Sequence, residues 1–240
     1  MAQARSSDDL ELLSRLDGLS SLAAPQLRRL CAAMACSDVS RNNVIFGDNG
    51  KTGQDVYFLL SGIARLTNTS VRRARTVVAL MPPGLIFKVP QLPTLIGHNF
   101  QCEALSDCRI GKLSAANFSR IAFGIDPSAV TSILATMMGR LSGMFVRYPT
   151  FLGLALRDRV AVALLELASE FGARNSRGTL LRVIPTHHEI ADLVGGSRPK
   201  VTQILTDFER RRMIFRDGRR MVLVPHRLEE LVRGKMNGRA

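Results

Sequence analysis

Residues 186–212 read THHEIADLVGGSRPKVTQILTDFERRR, and this stretch decides the fold of the C-terminal part. Thr186 and Glu189 have the spacing of a capping box, in which the Thr hydroxyl accepts from the Glu amide and the Glu carboxylate accepts from the Thr amide. Gly195-Gly196 predicts a tight turn, and Ser197 followed by Pro199 predicts the start of a second helix. Two helices separated by a short glycine turn predict a helix-turn-helix.

The second of these helices separates its apolar residues from its polar ones. At about 100° per residue, one face carries Val201, Ile204, Leu205 and Phe208, which we expect to be buried. Arg can bind the O6 and N7 atoms of guanine in the DNA major groove, and Gln can bind the N6 and N7 atoms of adenine. We therefore predict that the opposite face reads DNA bases through Arg198, Pro199, Thr202 and Gln203.

A basic hairpin follows the second helix. Residues 213–216 and 219–224 have the composition of strands, and Asp217-Gly218 between them is a hairpin turn pattern. A basic hairpin beside a reading helix is typical of a wing that touches the DNA backbone. The phosphate contacts predicted for the helices and the wing are Thr186, His187, Ser197, Lys200, Thr206, Arg216, Arg219 and Arg220, with a solvated side chain as the alternative for His187.

The charge of the chain agrees with a polyanionic partner. The 240 residues carry 33 Lys and Arg against 20 Asp and Glu, a net charge of +13, and residues 157–240 hold 17 of the basic and ten of the acidic residues. Such a surface favours nucleic acid or an anionic membrane. An acidic N-terminus without a signal-peptide pattern, and no apolar stretch long enough to cross a bilayer, predict a cytoplasmic protein without a membrane partner. No sequence motif of a hydrolase, a metalloprotease or a phosphate-binding loop is present, so we predict no catalytic residue and no enzyme.

The first half of the chain changes from a helical to a strand-like pattern. Residues 10–36 have apolar spacings of three and four, which predicts short helices. Short β-rich runs at 44–46, 56–60, 63–66, 76–80 and 100–113, interrupted by glycines, predict a β-sandwich or barrel. The proline-rich residues 82–93 between them predict a loop.

A heptad pattern follows the β-rich part. Apolar residues four and three apart predict a coiled-coil seam between two copies of the chain, and an ordinary core helix is the alternative. The seam is formed by Val130, Leu134, Met137, Leu141, Met144 and Tyr148. A second apolar stripe, Ile133, Met138, Phe145 and Leu152, is expected to pack on the β domain of the same chain.

Three stretches together resemble the bacterial CRP/FNR transcription factors over nearly the whole chain. They are DVYFLLSG at 55–62, the long heptad helix, and EIADLVGGSR at 189–198 with residues 201–205 behind it. The resemblance implies an α+β fold: a cyclic-nucleotide-binding-like β-roll (jelly roll) in residues 1–126, a dimerisation helix in 127–156 and a winged helix-turn-helix in 157–240. It also implies three partners, which are double-stranded DNA, a second copy of the chain and RNA polymerase.

The same resemblance marks a degenerate effector pocket. The family's cyclic-nucleotide signature has Gly-Glu and Arg-Ser pairs that hold the ribose and the phosphate, and this chain has Lys88-Val89 and His98-Asn99 in their places. Met144 and Phe145 replace hydroxyl residues that reach the purine. Tight cyclic-AMP binding is therefore not expected, because a buried charge partner for the phosphate is missing. We expect a regulator that binds another ligand or needs none, and predict no cofactor.

The cysteines leave one alternative open. Some members of the family sense redox state through an iron-sulfur cluster or haem, so a redox- or metal-responsive regulator could use Cys31, Cys36, Cys102 and Cys108. Their spacing lacks the CxxC pattern of cluster ligands, so small buried side chains are the expectation, with no metal site. An unrecognised enzymatic activity of the β-roll is the weaker alternative.

Overall fold

The computed structural model describes the backbone of residues 2–20, 22–47, 55–69, 75–84, 86–88, 99–122, 124, 127, 130–139, 142, 153–182, 184–217 and 220–236. The chain divides into two compact units, Met1–Phe145 and Val146–Ala240, which are described separately below. The three-part division predicted from the sequence stays a prediction. None of the helices in these described ranges combines the length and apolar character that a bilayer crossing requires.

The described residues of unit 1 form two short helices, eight strands and two further helices. In chain order these are α1 (Ala2–Ser14), α2 (Ala24–Ala33), β1 (Ala35–Val39), β2 (Val44–Gly47), β3 (Asp55–Ser61), β4 (Ala64–Thr69), β5 (Arg75–Met81), β6 (Ile86–Lys88), β7 (Asn99–Ala104), β8 (Cys108–Ser114), α3 (Ala115–Ala122) and α4, the helical residues 130–139. The strands form two four-stranded antiparallel sheets, in the orders β1-β8-β3-β6 and β2-β7-β4-β5.

Alternating side chains of β3 divide the core of unit 1 into two clusters. Phe58 and Leu60 belong to a cluster with residues of α1 and α2, whereas Leu59 belongs to a cluster with Cys102 of β7 and Ile110 of β8. Successive residues of a strand point to opposite faces, so one face of this sheet is covered by helices and the other by the second sheet. This arrangement confirms the predicted β-roll.

Two boundaries in unit 1 differ from the sequence prediction. Strand β1 begins at Ala35, inside the stretch predicted to be helical, and it pairs with β8 over its whole length. Strand β6 lies within the proline-rich residues predicted to be a loop, and it pairs with β3, Val56 lying opposite Lys88. In both places an existing strand offers free backbone groups, so pairing overrides the local pattern.

Buried ion pairs join elements that are distant in sequence. The guanidinium of Arg109 on β8 donates to both carboxylate oxygens of Asp9 on α1, at 2.8 and 2.7 Å, and to Asp38 of β1 at 3.0 Å. On the second sheet, Arg65 of β4 donates to Glu103 of β7 at 2.9 Å, and both side chains are buried. These pairs fix α1 and strand β4 to their neighbours because an unpaired charge at either place would be costly.

Helix α4 turns one side to its own β domain and leaves the other open. Ile133 is buried in the cluster with α1 and α2, and Thr136 lies beside Gly18. Leu134, Met137 and Met138 are 55%, 40% and 58% exposed. The prediction that Met138 packs on the same chain is wrong, because at about 100° per residue it lies about 140° around the helix from Ile133, whereas Thr136 lies about 60° away. Of the predicted seam, Val130 is half-buried, and Leu141, Met144 and Tyr148 lie outside the described residues, as do Phe145 and Leu152 of the second stripe.

Over the described residues, unit 2 is an α+β domain with one four-stranded antiparallel sheet. Its elements are α5 (Leu156–Phe171), β9 (Gly172–Asn175), β10 (Gly178–Leu181), α6 (His187–Val194), α7 (Arg198–Arg210), β11 (Ile214–Asp217), β12 (Arg220–Leu223) and α8 (Pro225–Met236). The sheet order is β11-β12-β10-β9. The hairpin β9–β10 and helix α8 were not predicted from the sequence, whereas α6, α7 and the strands of the wing were.

Candidate nucleic-acid interface

Helix α6 begins as the capping box predicts. The hydroxyl of Thr186 accepts from the amide of Glu189 at 3.2 Å, and the Glu189 carboxylate accepts from the amide of Thr186 at 2.6 Å. The helix ends at Val194, and the φ of 61° at the following Gly195 lies in the left-handed region that a residue without a Cβ atom adopts most easily. A Cβ atom on Gly196 would stand 2.7 Å from the side chain of Leu156, so the turn packs closely against α5.

Helix α7 buries one face and exposes the other. Val201, Leu205 and Phe208 are buried, while Ile204 is half-buried at the edge of the face predicted for it. The exposed side is centred on Pro199, Gln203, Thr206 and Arg210. Ser197 occupies the position before the helix, but its side chain makes no capping hydrogen bond.

The four predicted base-reading residues fall into two groups. Arg198, Pro199 and Gln203 are exposed. Thr202 is half-buried at the side of the helix, where its hydroxyl donates to the carbonyl oxygen of Arg198 at 2.9 Å and lies 2.8 Å from Nδ1 of His187. The exposed reading surface therefore consists of Arg198, Pro199 and Gln203, with Thr202 bound at its margin.

The predicted phosphate contacts surround this surface. Those exposed to solvent are Thr186, Ser197, Lys200, Thr206, Arg216 and Arg220, and Arg219 lies outside the described residues. His187 is half-buried between α6 and α7. The guanidinium of Arg216, on β11 of the wing, lies against α7, with Nε 2.6 Å from Oε1 of Glu209.

Asp207 holds the far end of α7 to α5. Its carboxylate is 2.9 Å from Nη2 of Arg157 and 3.0 Å from Nε of Arg211, and it also pairs with Arg210. Although desolvation raises the pKa of Asp207, hydrogen bonds from Arg210 and Arg211 lower it overall. The ring of Phe208 lies beneath Arg157, with the guanidinium 5.6 Å from its centroid. These contacts fix the direction of the reading helix.

The sheet of unit 2 adds a basic residue that the sequence analysis missed. Strands β10 and β12 are antiparallel, with Thr179 opposite Leu223 and Leu180 opposite Val222. The residue that follows β10, Arg182, therefore lies at the end of the sheet where β12 begins with Arg220, which is the end of the wing turn. Arg182 is exposed, and no ion pair with it is found in the described part of the chain. Arg177, in the turn between β9 and β10, lies at the opposite end of the sheet.

The predicted effector pocket is only partly within the described residues. Lys88 ends β6 and Asn99 begins β7, and the backbone alone is described at both positions. Val89, His98, Met144 and Phe145 lie outside the described residues. The degenerate pocket therefore stays a prediction.

The four cysteines lie in environments that suppress thiolate formation. Cys31, Cys102 and Cys108 are buried and Cys36 is half-buried. Burial raises the pKa of all four thiols, and for Cys36 burial and the nearby Asp9 raise the pKa to about 12. Over the described residues, no group of three or more His, Cys, Asp or Glu side chains is placed to hold a metal ion. Because the thiolate is the reactive and metal-binding form, the geometry gives no argument for cysteine chemistry.

Unit 2 is a winged helix-turn-helix domain of a DNA-binding protein. Its defining features are the capped helix-turn-helix, the exposed face of α7, and the basic residues Arg182 and Arg220 at one end of the sheet. The chain matches the Crp-like helix-turn-helix domain family over residues 158–231. It is 28% identical to the nitrogen fixation regulation protein FixK of Azorhizobium caulinodans, over 78% of this chain and 74% of that protein. It is 23% identical to a CRP-like cAMP-activated global transcriptional regulator of Mycobacterium tuberculosis, over 89% of this chain and 94% of the relative.

Solved structures of transcription regulators have the same fold as this chain. The solved structure of FixK2 from Bradyrhizobium japonicum superimposes with a TM-score of 0.68 at 20% identity, covering 82% of this chain and 96% of that one. These matches support a DNA-binding transcription regulator of the CRP/FNR type. The relatives are regulators and not enzymes, which agrees with the absence of catalytic motifs in the sequence.

Proposed function

We propose that the protein regulates transcription as a homodimer that binds a palindromic DNA site. The observation that carries the proposal is the surface of α7, which presents Arg198, Pro199 and Gln203 to solvent above a face buried through Val201, Leu205 and Phe208. The exposed apolar residues of α4, Leu134 and Met137, are the part of the predicted seam that would meet a second copy. Two reading helices in such a dimer would lie ~34 Å apart, one turn of DNA. Contact with RNA polymerase is part of the proposal by family resemblance alone.

The residues on the reading surface predict features of the operator sequence, and binding selection can test them. Arg198 suits guanine and Gln203 suits adenine, whereas Pro199 has no group that hydrogen-bonds a base. We expect binding selection from random duplexes to enrich a two-fold symmetric site that is related to the family's pattern but altered opposite Pro199 and Gln203. Selection that enriches no symmetric site would contradict the proposal.

Arg198→Ala is expected to weaken binding to the selected operator by about 1–3 kcal/mol and to relax the preference at one base pair of each half-site. The reason is that a bidentate contact to guanine discriminates between bases, whereas the rest of the surface does not. Fluorescence anisotropy on the operator and on single-base variants measures both effects. Arg177→Ala removes the same charge from the other end of the sheet and is the matched control. Equal losses on operator and random DNA for Arg198→Ala would refute base readout by this residue.

Arg182→Ala is expected to weaken all duplexes by a similar factor and to lower the salt dependence of binding. A phosphate contact carries no sequence information, and each one lost reduces the slope of log affinity against log salt by about 1. Anisotropy titrations of operator and random duplex at four salt concentrations check this, again with Arg177→Ala as control. The placement of Arg182 at the DNA would be wrong if the two variants gave the same slope.

We further propose that cyclic AMP is not the effector. The support is the sequence of the pocket, where Lys88-Val89 and His98-Asn99 replace the ribose- and phosphate-binding pairs of the family. The relative from Mycobacterium tuberculosis is described as cAMP-activated, but at 23% identity that property does not transfer to these positions. Calorimetry that finds micromolar cyclic-AMP binding would contradict this part of the proposal.

A further inference from the structure

His187 lies at the junction of three elements of the winged domain. It is the first residue of α6, and its two ring nitrogens contact two different elements. Nδ1 is 2.8 Å from Oγ1 of Thr202 on α7, and Nε2 is 2.5 Å from Nη2 of Arg216 on β11. Arg216 in turn pairs with Glu209 in the last turn of α7. The chain of contacts therefore starts in the first turns of the reading helix, crosses α6 and the wing, and returns to the end of the same helix.

The donors and acceptors around His187 determine which of its ring nitrogens carries the proton. The single hydroxyl proton of Thr202 is used toward the carbonyl oxygen of Arg198, so Oγ1 can only accept from His187. Nδ1 must then carry the proton. Arg216 has only donors, so Nε2 must be the unprotonated acceptor. The geometry is satisfied by the neutral Nδ1–H tautomer, whereas an imidazolium would set an N–H group against the N–H groups of Arg216.

The charged residues around the His187 ring also favour its neutral form. Arg216 faces it from β11, and Arg198 and Glu209 act on it from α7. Desolvation, followed by the positive charges of Arg216 and Arg198, lowers the pKa of His187, and Glu209 opposes this only in part. The hydrogen-bond geometry and the surrounding charges therefore both favour the neutral ring.

Arg216 keeps N–H groups with which it could bind an acceptor outside the protein. A guanidinium has five N–H groups; that of Arg216 is ion-paired with Glu209, contacts His187 through Nη2 and is 40% exposed. Among the residues that the structure describes, this leaves N–H groups of Arg216 open to an outside acceptor. A guanidinium that is already oriented loses less conformational entropy when it binds a phosphate than one that is free.

We propose that His187 is a positioning residue for DNA binding, which in its neutral Nδ1–H form holds the reading helix and the wing in one arrangement and orients Arg216 toward a backbone phosphate. The inference rests on the proposed function, and it replaces the prediction that His187 itself contacts a phosphate. Its two ring nitrogens are engaged within the protein, so the DNA contact is assigned to Arg216.

The tautomer is tested in the free protein, without DNA. Long-range ¹H–¹⁵N correlation spectra of the full-length protein at pH 7 are expected to show His187 as the Nδ1–H tautomer, with its signals assigned by their loss in His187→Gln. A predominant Nε2–H tautomer or an imidazolium would overturn the proposal. This readout holds whether or not an operator is found, so it separates this proposal from the proposed function.

The coupling to Arg216 is tested with a double-mutant cycle on the selected operator. His187→Ala is expected to weaken binding about tenfold, because an oriented charge-assisted contact is lost. In an Arg216→Ala background the same change is expected to weaken binding less than about twofold, since there is no guanidinium left to orient. Full additivity of the two losses would show an independent phosphate contact by His187 and would overturn the proposal.

Two further variants separate positioning from a general loss of folding. His187→Gln places an amide oxygen where it can reach the position of Nε2, and it is expected to keep most of the affinity that His187→Ala loses. His188→Ala is the matched control in the same helical turn, because His188 is 69% exposed and, among the described residues, its one charged partner is Asp192 of its own helix, at 3.7 Å. A loss in His188→Ala equal to that in His187→Ala would contradict a specific role for His187.

Discussion

Phe208→Ala is expected to lower the free energy of unfolding of the winged domain by about 3–5 kcal/mol. Phe208 is fully buried on the inner face of α7, and its ring also lies under the guanidinium of Arg157. The substitution removes the transfer free energy of the ring and leaves a cavity that the helix–sheet packing can fill only in part. Operator binding should fall with stability, because the reading helix is held to the domain through this side chain.

Hydrogen exchange followed by mass spectrometry locates the effect. Peptides covering α7 are expected to lose protection by the largest factor, while peptides of the β-roll keep theirs. Phe215→Ala is the matched control, since Phe215 is only half-buried on β11 and should cost much less. Unchanged protection of α7 in Phe208→Ala would show that this face does not anchor the reading helix.

Gly62→Ala is expected to destabilise the β-roll by roughly 2–5 kcal/mol from backbone strain and overlap together. Gly62 joins β3 to β4 with a φ of 90°, a conformation that residues with a Cβ atom rarely adopt. A Cβ atom there would also stand 2.3 Å from the carbonyl oxygen of Asp107, a backbone atom that cannot turn away. Urea unfolding monitored by circular dichroism measures the loss.

At Gly139, replacement of glycine by alanine is expected to raise the stability of the protein and not to lower it. This residue is helical in α4, and a Cβ atom would meet nothing within 4 Å. Gly139→Ala should therefore stabilise the protein by about 0.5–1 kcal/mol, because alanine loses less backbone entropy on folding. Losses of similar size in both variants would show that position-specific geometry is not what decides the effect.

Local patterns predicted the elements whose causes are local. The capping box at Thr186 and Glu189 fixes the start of α6 through two hydrogen bonds that span three residues, and both are present. The alternation of Phe58, Leu59 and Leu60 places successive side chains in two different clusters, as a period of two requires. For the reading helix, Arg198 and Gln203 could be placed on the open side from helical angles alone.

The features that were missed depend on contacts between distant residues. Nothing near Ile86–Lys88 indicates a strand, because β6 exists through pairing with β3. Arg182 acquires a position near the wing only through the register of β10 with β12, and neither β9 nor β10 was predicted. In the same way, helical angles assigned Thr202 to base readout, but they could not show that its hydroxyl is used by Arg198 and His187.

The shielded thiols have a practical consequence for studying this regulator in solution. Burial and the nearby Asp9 raise the pKa of Cys36 to about 12, so little thiolate forms at pH 7, and the other three thiols are buried. Maleimide dyes should therefore react slowly with the natural protein. Ser176→Cys places an exposed thiol in the β9–β10 turn, away from the reading surface. A single fluorophore attached there would report operator binding without mutating the natural cysteines.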